Sequence, residues 1–180
     1  MRLFVGIPLA AAVTDELRAS SARLHSAGDG LRWTAPESWH ITLQFLGNTG
    51  REPYECVVTE LRRVRSPSVS VCLEGMSCFE RAGILIARVT LTPELLLLQE
   101  HVTAATQPCG FTPEVRPYQP HITLARSKSH GHDLSALKAK ISRQSTFTRF
   151  VAQEFLLYES FLGAGGSHYE VREHFSLDRG

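Results

Sequence analysis

The sequence predicts an α+β fold in which two pseudo-symmetric lobes, antiparallel-rich sheets with helices outside, flank a central cleft. Three observations predict it. The tetrapeptide His-Ile-Thr-Leu occurs at residues 40–43 and again at 121–124, 81 residues apart. A short apolar strand pattern recurs at the same offset, at 3–7 and 84–89. The order strand, helix, motif strand, helix, strand can be read twice along the 180 residues. Self-similarity at a fixed offset marks a repeated unit. A single domain over 1–180 is therefore expected, with repeat halves at approximately 1–80 and 81–180.

The elements follow in order. Residues 3–7 read as a buried strand, and the helix after them spans 14–26, with Thr14 as N-cap and Leu17 and Leu24 on one face. The first motif strand starts at His40. A helix over 53–65 places Val57, Val58, Leu61 and Val64 on one stripe, and a strand near 69–73 closes the half. In the second half a strand over 84–89 leads into a helix over 93–106, with Thr92 as N-cap and Pro93 at the tolerated first position. The second motif strand starts at His121. A helix over 134–142 has Asp133 as N-cap and a stripe of Leu134, Leu137 and Ile141. Strands near 151–158 and 169–177 finish the chain, joined by a hairpin turn over 163–166.

Composition narrows the function. Hydrophobic residues make up 43% and charged residues 21%, and Lys+Arg 19 against Asp+Glu 18 leaves a net charge of +1. A protein that coats a nucleic-acid backbone carries a basic excess, so if RNA or DNA is the partner, only an end or a short piece is expected to be held. No apolar run, 95–98 included, approaches the ~20 residues of a membrane span. The start of the chain reads as a strand and not as a signal peptide. Cys56, Cys72, Cys78 and Cys109 contain no C-x-x-C pair, and free thiols in a reducing cytoplasm are expected.

In a strand, side chains alternate faces. His40 and Thr42 project one way and Ile41 and Leu43 the other; His121 and Thr123 repeat the arrangement. Two such strands facing each other gather two imidazoles and two hydroxyls around one point. A phosphodiester under attack needs a base for the nucleophile and an acid for the leaving oxygen. Imidazole suits both tasks near neutrality, the hydroxyls can donate to non-bridging oxygens, and no metal or other cofactor is expected if one histidine is charged when substrate binds. Spacing alone does not say which histidine is the acid. Phe45 and Arg126 each stand five residues after a motif histidine, and simple alternation points both toward the core.

With these motifs in hand, the chain resembles the two-histidine phosphoesterase superfamily, and within it the bacterial RNA 2′,3′-cyclic phosphodiesterases first described as 2′-5′ RNA ligases. The resemblance rests on Arg2-Leu3-Phe4-Val5, Leu31-Arg32-Trp33, the segments 40–47 and 120–126, and the tail with Glu159-Ser160 and Gly166-Ser167-His168-Tyr169. It implies hydrolysis of a terminal 2′,3′-cyclic phosphate to a 2′-phosphate, with His40 as proton donor and His121 as proton acceptor. It also implies that Phe45 stacks near the base and that Arg126 binds phosphate. The partners are then RNA ends or short oligonucleotides with a 2′,3′-cyclic phosphate. A monomer suffices, because the duplication already supplies both sides of the cleft. The same site run with a 5′ hydroxyl as nucleophile gives 2′-5′ ligation, and a binding module without chemistry is the alternative from another class. The sequence departs from the family where Asn48-Thr49 replaces an acidic residue.

Other features read as structure. His130 and His132 fall short of the three or four groups a zinc site needs, and a solvated loop accounts for them. Arg62, Arg63 and Arg65 form an exposed basic helix end favoured by the macrodipole, or a guide for an RNA tail. Of Trp33 and Trp39, one is expected in the core and one at the cleft rim.

Overall fold

The computed structural model describes residues 1–26, 29–128, 134–141, 147–163 and 166–178. The first of two four-stranded sheets takes β1 (Arg2–Pro8) and β3 (His40–Asn48) from the start of the chain and β9 (Glu154–Gly163) and β10 (Gly166–Ser176) from its end, in the order β10-β9-β1-β3. The second takes β2 (Leu31–Trp33), β5 (Leu73–Phe79), β6 (Ile84–Val89) and β7 (His121–Ser127), in the order β2-β7-β6-β5. A further pair joins β4 (Val69–Val71) to β8 (Phe150–Ala152). Every pairing among these strands is antiparallel. The motif strands hold matching places: β3 pairs with β1 as β7 pairs with β6. Leu3, Ile7 and Ile41 from one sheet and Leu85, Ile122 and Leu124 from the other, all buried, belong to a single apolar cluster.

Helix positions agree with the sequence more closely than helix ends. α3 (Pro93–Thr106) lies where expected, and the Thr92 hydroxyl accepts from the Leu95 amide at 3.3 Å. α1 is Ala11–Ala22, three residues ahead of its expected start. Thr14 is not its cap; the hydroxyl donates back to the Ala10 carbonyl at 3.2 Å, the alternative bond open to threonine inside a helix. α2 is Arg51–Leu61, opened by Gly50, so Pro53 sits in the first turn, where no backbone donor is missed. Its predicted last turn is taken over by Arg65, which donates to the carbonyls of Arg62 and Val64 at 3.0 Å. α4 is Ser135–Lys140; its expected cap Asp133, its expected last residue Ser142 and the pair His130 and His132 lie outside the described residues. Two short strands escape the period-two pattern. β2 has three residues, and β5 is interrupted by a register shift at Gly75, whose φ of 119° favours glycine. The terminal hairpin is present, with Gly163 opposite Gly166.

The expectation of four free thiols is corrected. Cys56 on α2 and Cys109, just past α3, form a disulfide with Cα atoms 5.7 Å apart. α2 and α3 pack together, which brings cysteines 53 residues apart in sequence into reach; their spacing carries no signal of it. Cys72 and Cys78 are free.

Candidate active site

β3 and β7 touch although they belong to different sheets. Tyr118, three residues before the second motif, donates its hydroxyl to the Thr42 carbonyl at 2.9 Å and so ties one motif to the other. His40 lies near enough to His121 and Arg126 for both to act on it electrostatically. The two His-x-Thr motifs therefore share one site.

Each imidazole is fixed in the same way. His40 Nδ1 meets the Ser38 carbonyl at 2.8 Å, and His121 Nδ1 meets the Gln119 carbonyl at 2.8 Å. A carbonyl only accepts, so Nδ1 carries the proton in both rings and Nε2 is left to exchange protons with a ligand. The Thr42 hydroxyl stands 3.1 Å from His40 Nε2. Ser38 and Gln119 are again 81 residues apart, so the duplication reaches the carbonyls that orient the rings.

The surroundings of the two rings differ. His40 stands against Phe4 at 4.5 Å between centroids, with Tyr169 edge-on at 5.1 Å and Tyr158 at 5.6 Å. His121 has Phe79 edge-on at 5.0 Å. Burial in the aromatic shell lowers the His40 pKa to about 4; the Ser38 carbonyl opposes this, and the charges of His121 and Arg126 add to it. Burial also lowers His121, against the Gln119 carbonyl and with help from Arg126. Gly6 makes room for the His40 ring. A Cβ there would sit 2.9 Å from the Ile41 carbonyl oxygen and 3.3 Å from His40 Cδ2.

Phe45 and Arg126 do not point toward the core. On β3 the register with β1 slips past Leu43, so Leu43 and Gln44 are both buried in succession. On β7 the register with β6 slips past Leu124, and Leu124 and Ala125 are buried in succession. One extra residue in a strand reverses the alternation after it. Phe45, 71% exposed, thus returns to the face of His40, beside Phe4, and Arg126 returns to the face of His121. The two bulges hold equivalent positions in the two motifs.

The remaining candidates lie apart. Trp39 is buried, and Trp33 is half-buried against the core with its indole N–H donated to Asp29 at 2.8 Å. Arg62 pairs with Glu173 at 3.0 Å and Arg63 with Glu60 at 2.6 Å. A cavity of about 320 Å³ lies between the end of α2 and the end of β10, lined by Arg62, Arg65 and His174 among others and by no motif residue. Among the described residues no group of three or more His, Cys, Asp or Glu is placed to hold a metal ion. No helix among them is long and apolar enough to cross a membrane. Sequence reasoning missed Phe4, Tyr118, Tyr158, Tyr169 and Phe79; their only sequence signal is that Phe4 and Tyr169 lie in segments shared with the resembled family.

Residues 8–160 match the family model of the 2′-5′ RNA ligase superfamily. The protein belongs to that superfamily. Among curated members, the RNA 2′,3′-cyclic phosphodiesterase of Archaeoglobus fulgidus is 27% identical, over 94% of this chain and 97% of the relative. The Escherichia coli protein of the same name is 25% identical, over 98% of this chain and 96% of the relative. The fold is that of E. coli LigT crystallised with 3′-AMP, with a TM-score of 0.81 at 23% identity and coverage of 98% and 97%.

Proposed function

We propose that the protein is an RNA 2′,3′-cyclic phosphodiesterase that opens a terminal cyclic phosphate to a 2′-phosphate. The observation that carries the reading is the pair of identically held imidazoles, each with Nδ1–H on a carbonyl two residues upstream, brought to one site. Relatives that match nearly the whole chain bear that activity as their name, and a solved structure of the same fold holds 3′-AMP.

In this reading His121 takes a proton from water as the oxygen attacks phosphorus. The bond from phosphorus to O3′ breaks, and His40 delivers its proton to O3′, leaving a free 3′ hydroxyl and a 2′-phosphate. Thr42 and Thr123 donate to the non-bridging oxygens, Arg126 adds positive charge, and Phe45 stacks against the terminal base. Burial keeps both imidazoles neutral in the empty site at pH 7. The anionic cyclic phosphate offsets that penalty, so a proton arrives with the substrate. The two imidazoles supply both proton transfers without a metal. A 5′ hydroxyl in place of water would break the same bond and give a 2′-5′ linkage. We further propose that the enzyme acts as a monomer.

The test is incubation of a short RNA ending in 2′,3′-cyclic phosphate with the protein in EDTA, with products separated. A 2′-phosphate is expected. A 3′-phosphate would reverse the regiochemistry, and activity lost in EDTA and restored by a divalent metal would overturn the two-imidazole mechanism.

A further inference from the structure

Arg32 on β2 and Arg126 on β7 are register partners in an antiparallel ladder. Such partners project from the same face with Cα atoms about 4.5–5.5 Å apart. Arg126 acts on both imidazoles, so its face is the face of the site, and Arg32 shares it. The flanking residues agree: Leu31 is buried and Trp33 packs on the core, while Arg32 is exposed.

Like charges placed directly opposite repel, and a carboxylate between them is the usual remedy. Here it is missing. Among the described residues Arg18, Arg62 and Arg88 each meet a carboxylate, whereas Arg32 and Arg126 meet none. The carboxylate nearest in sequence, Asp29, is held by the Leu31 amide and the Trp33 indole. Lys128 extends the row: its amide donates to the Gly30 carbonyl at 2.9 Å, continuing the β2–β7 ladder, and among the described residues it too meets no carboxylate. In a chain with a net charge of +1, this edge concentrates unneutralised cations beside the site.

We propose that Arg32 forms a second phosphate subsite next to Arg126 and holds the internucleotide phosphodiester preceding the terminal nucleotide. The proposal rests on the reading of the two-histidine site as one for RNA ends. Arg126 serves the phosphate under attack, because its charge reaches both imidazoles. Arg32 stands on the edge strand one step further out, where the next phosphate of the chain passes. A mononucleoside 2′,3′-cyclic phosphate has no such phosphate and leaves Arg32 unused. Arg32 is thus a specificity-determining residue that favours oligonucleotide ends over cyclic mononucleotides.

The experiment compares wild type with Arg32→Gln and Arg32→Lys on three substrates. These are uridine 2′,3′-cyclic phosphate, a trinucleotide with the same terminus, and that trinucleotide with a neutral methylphosphonate at its last linkage. Loss of one charge-assisted contact is worth about 10- to 100-fold. Arg32→Gln should lower kcat/KM on the trinucleotide by that factor relative to its effect on the mononucleotide, chiefly through KM. The methylphosphonate should reproduce the loss in wild type, with little further effect of the variant, and Arg32→Lys should recover part of it. In parallel, binding of a trinucleotide ending in 2′-phosphate should show a salt slope shallower by about 0.7 in the Gln variant. Equal loss on all three substrates, or on none, would overturn the proposal. If wild type turned over no substrate, the phosphodiesterase reading would fall, while the binding arm would still decide the role of Arg32.

Discussion

His40 is packed against three aromatic rings and His121 against one, and this difference sets the pH behaviour of the site. The proposed reaction needs one charged and one neutral imidazole, and burial lowers both from the usual 6.5, His40 to about 4. The profile of kcat/KM, which reports the free enzyme, should therefore peak on the acid side and fall as pH rises through neutrality. A plateau extending above pH 8 would contradict this. The same shift bears on stability. An unfolded chain binds the His40 proton more tightly than the folded one, so stability is lost as pH falls from 6.5 to about 4. Urea unfolding should show a decline that is flatter in His40→Gln. Tyr118 is a positioning residue, since it touches the Thr42 backbone and not the reacting atoms. Tyr118→Phe should lower kcat about tenfold with KM little changed, as expected for a misplaced catalytic group; a matched rise in KM alone would assign it to binding. At this scale the two histidines and two threonines were legible because they stand in identical tetrapeptides. The shell around His40 was not, since Phe4 and Tyr169 are 165 residues apart in sequence and only strand register joins them.

At the scale of the element, the two bulges account for what period-two reasoning could not place. Alternation sends Phe45 and Arg126 inward, and one inserted leucine in each strand sends them out. A bulge is a register between two strands, so it cannot be read from either strand alone. Helix ends show a similar limit. Thr14 and Thr92 look alike as caps in sequence, but only Thr92 accepts from the backbone. Thr92→Ala should cost about 1 kcal/mol, and Thr14→Ala clearly less, with kcat unchanged in both. Thermal unfolding checks the pair, and equal losses would contradict the cap assignment. Gly6→Ala probes the strand beneath His40. The added Cβ presses on backbone as well as on the ring, so both activity and stability should fall.

Across the whole molecule, the repeated pattern foretold two sheets with one motif strand in each, yet each sheet also borrows strands from the other half of the chain. Borrowing of this kind is set by long-range pairing, which local periodicity does not encode. The disulfide is also a long-range property, joining α2 to the segment after α3. Closing a loop with a separation of 53 residues stabilises by about 4 kcal/mol in the chain-entropy picture. The pair Cys56→Ser with Cys109→Ser should lose part of this while retaining kcat/KM, since neither cysteine touches the site; chemical denaturation with parallel kinetics would show it. The account as a whole stands on two imidazoles working as one acid–base unit contributed by both copies of the motif. The most direct measurement is single-turnover opening of a terminal cyclic phosphate by His40→Ala, His121→Ala and the double variant. Each single change should cost at least about a thousandfold, and the double variant should be little worse than either, as for groups that act together. Full activity in either single variant, or losses that multiply in the double, would contradict it.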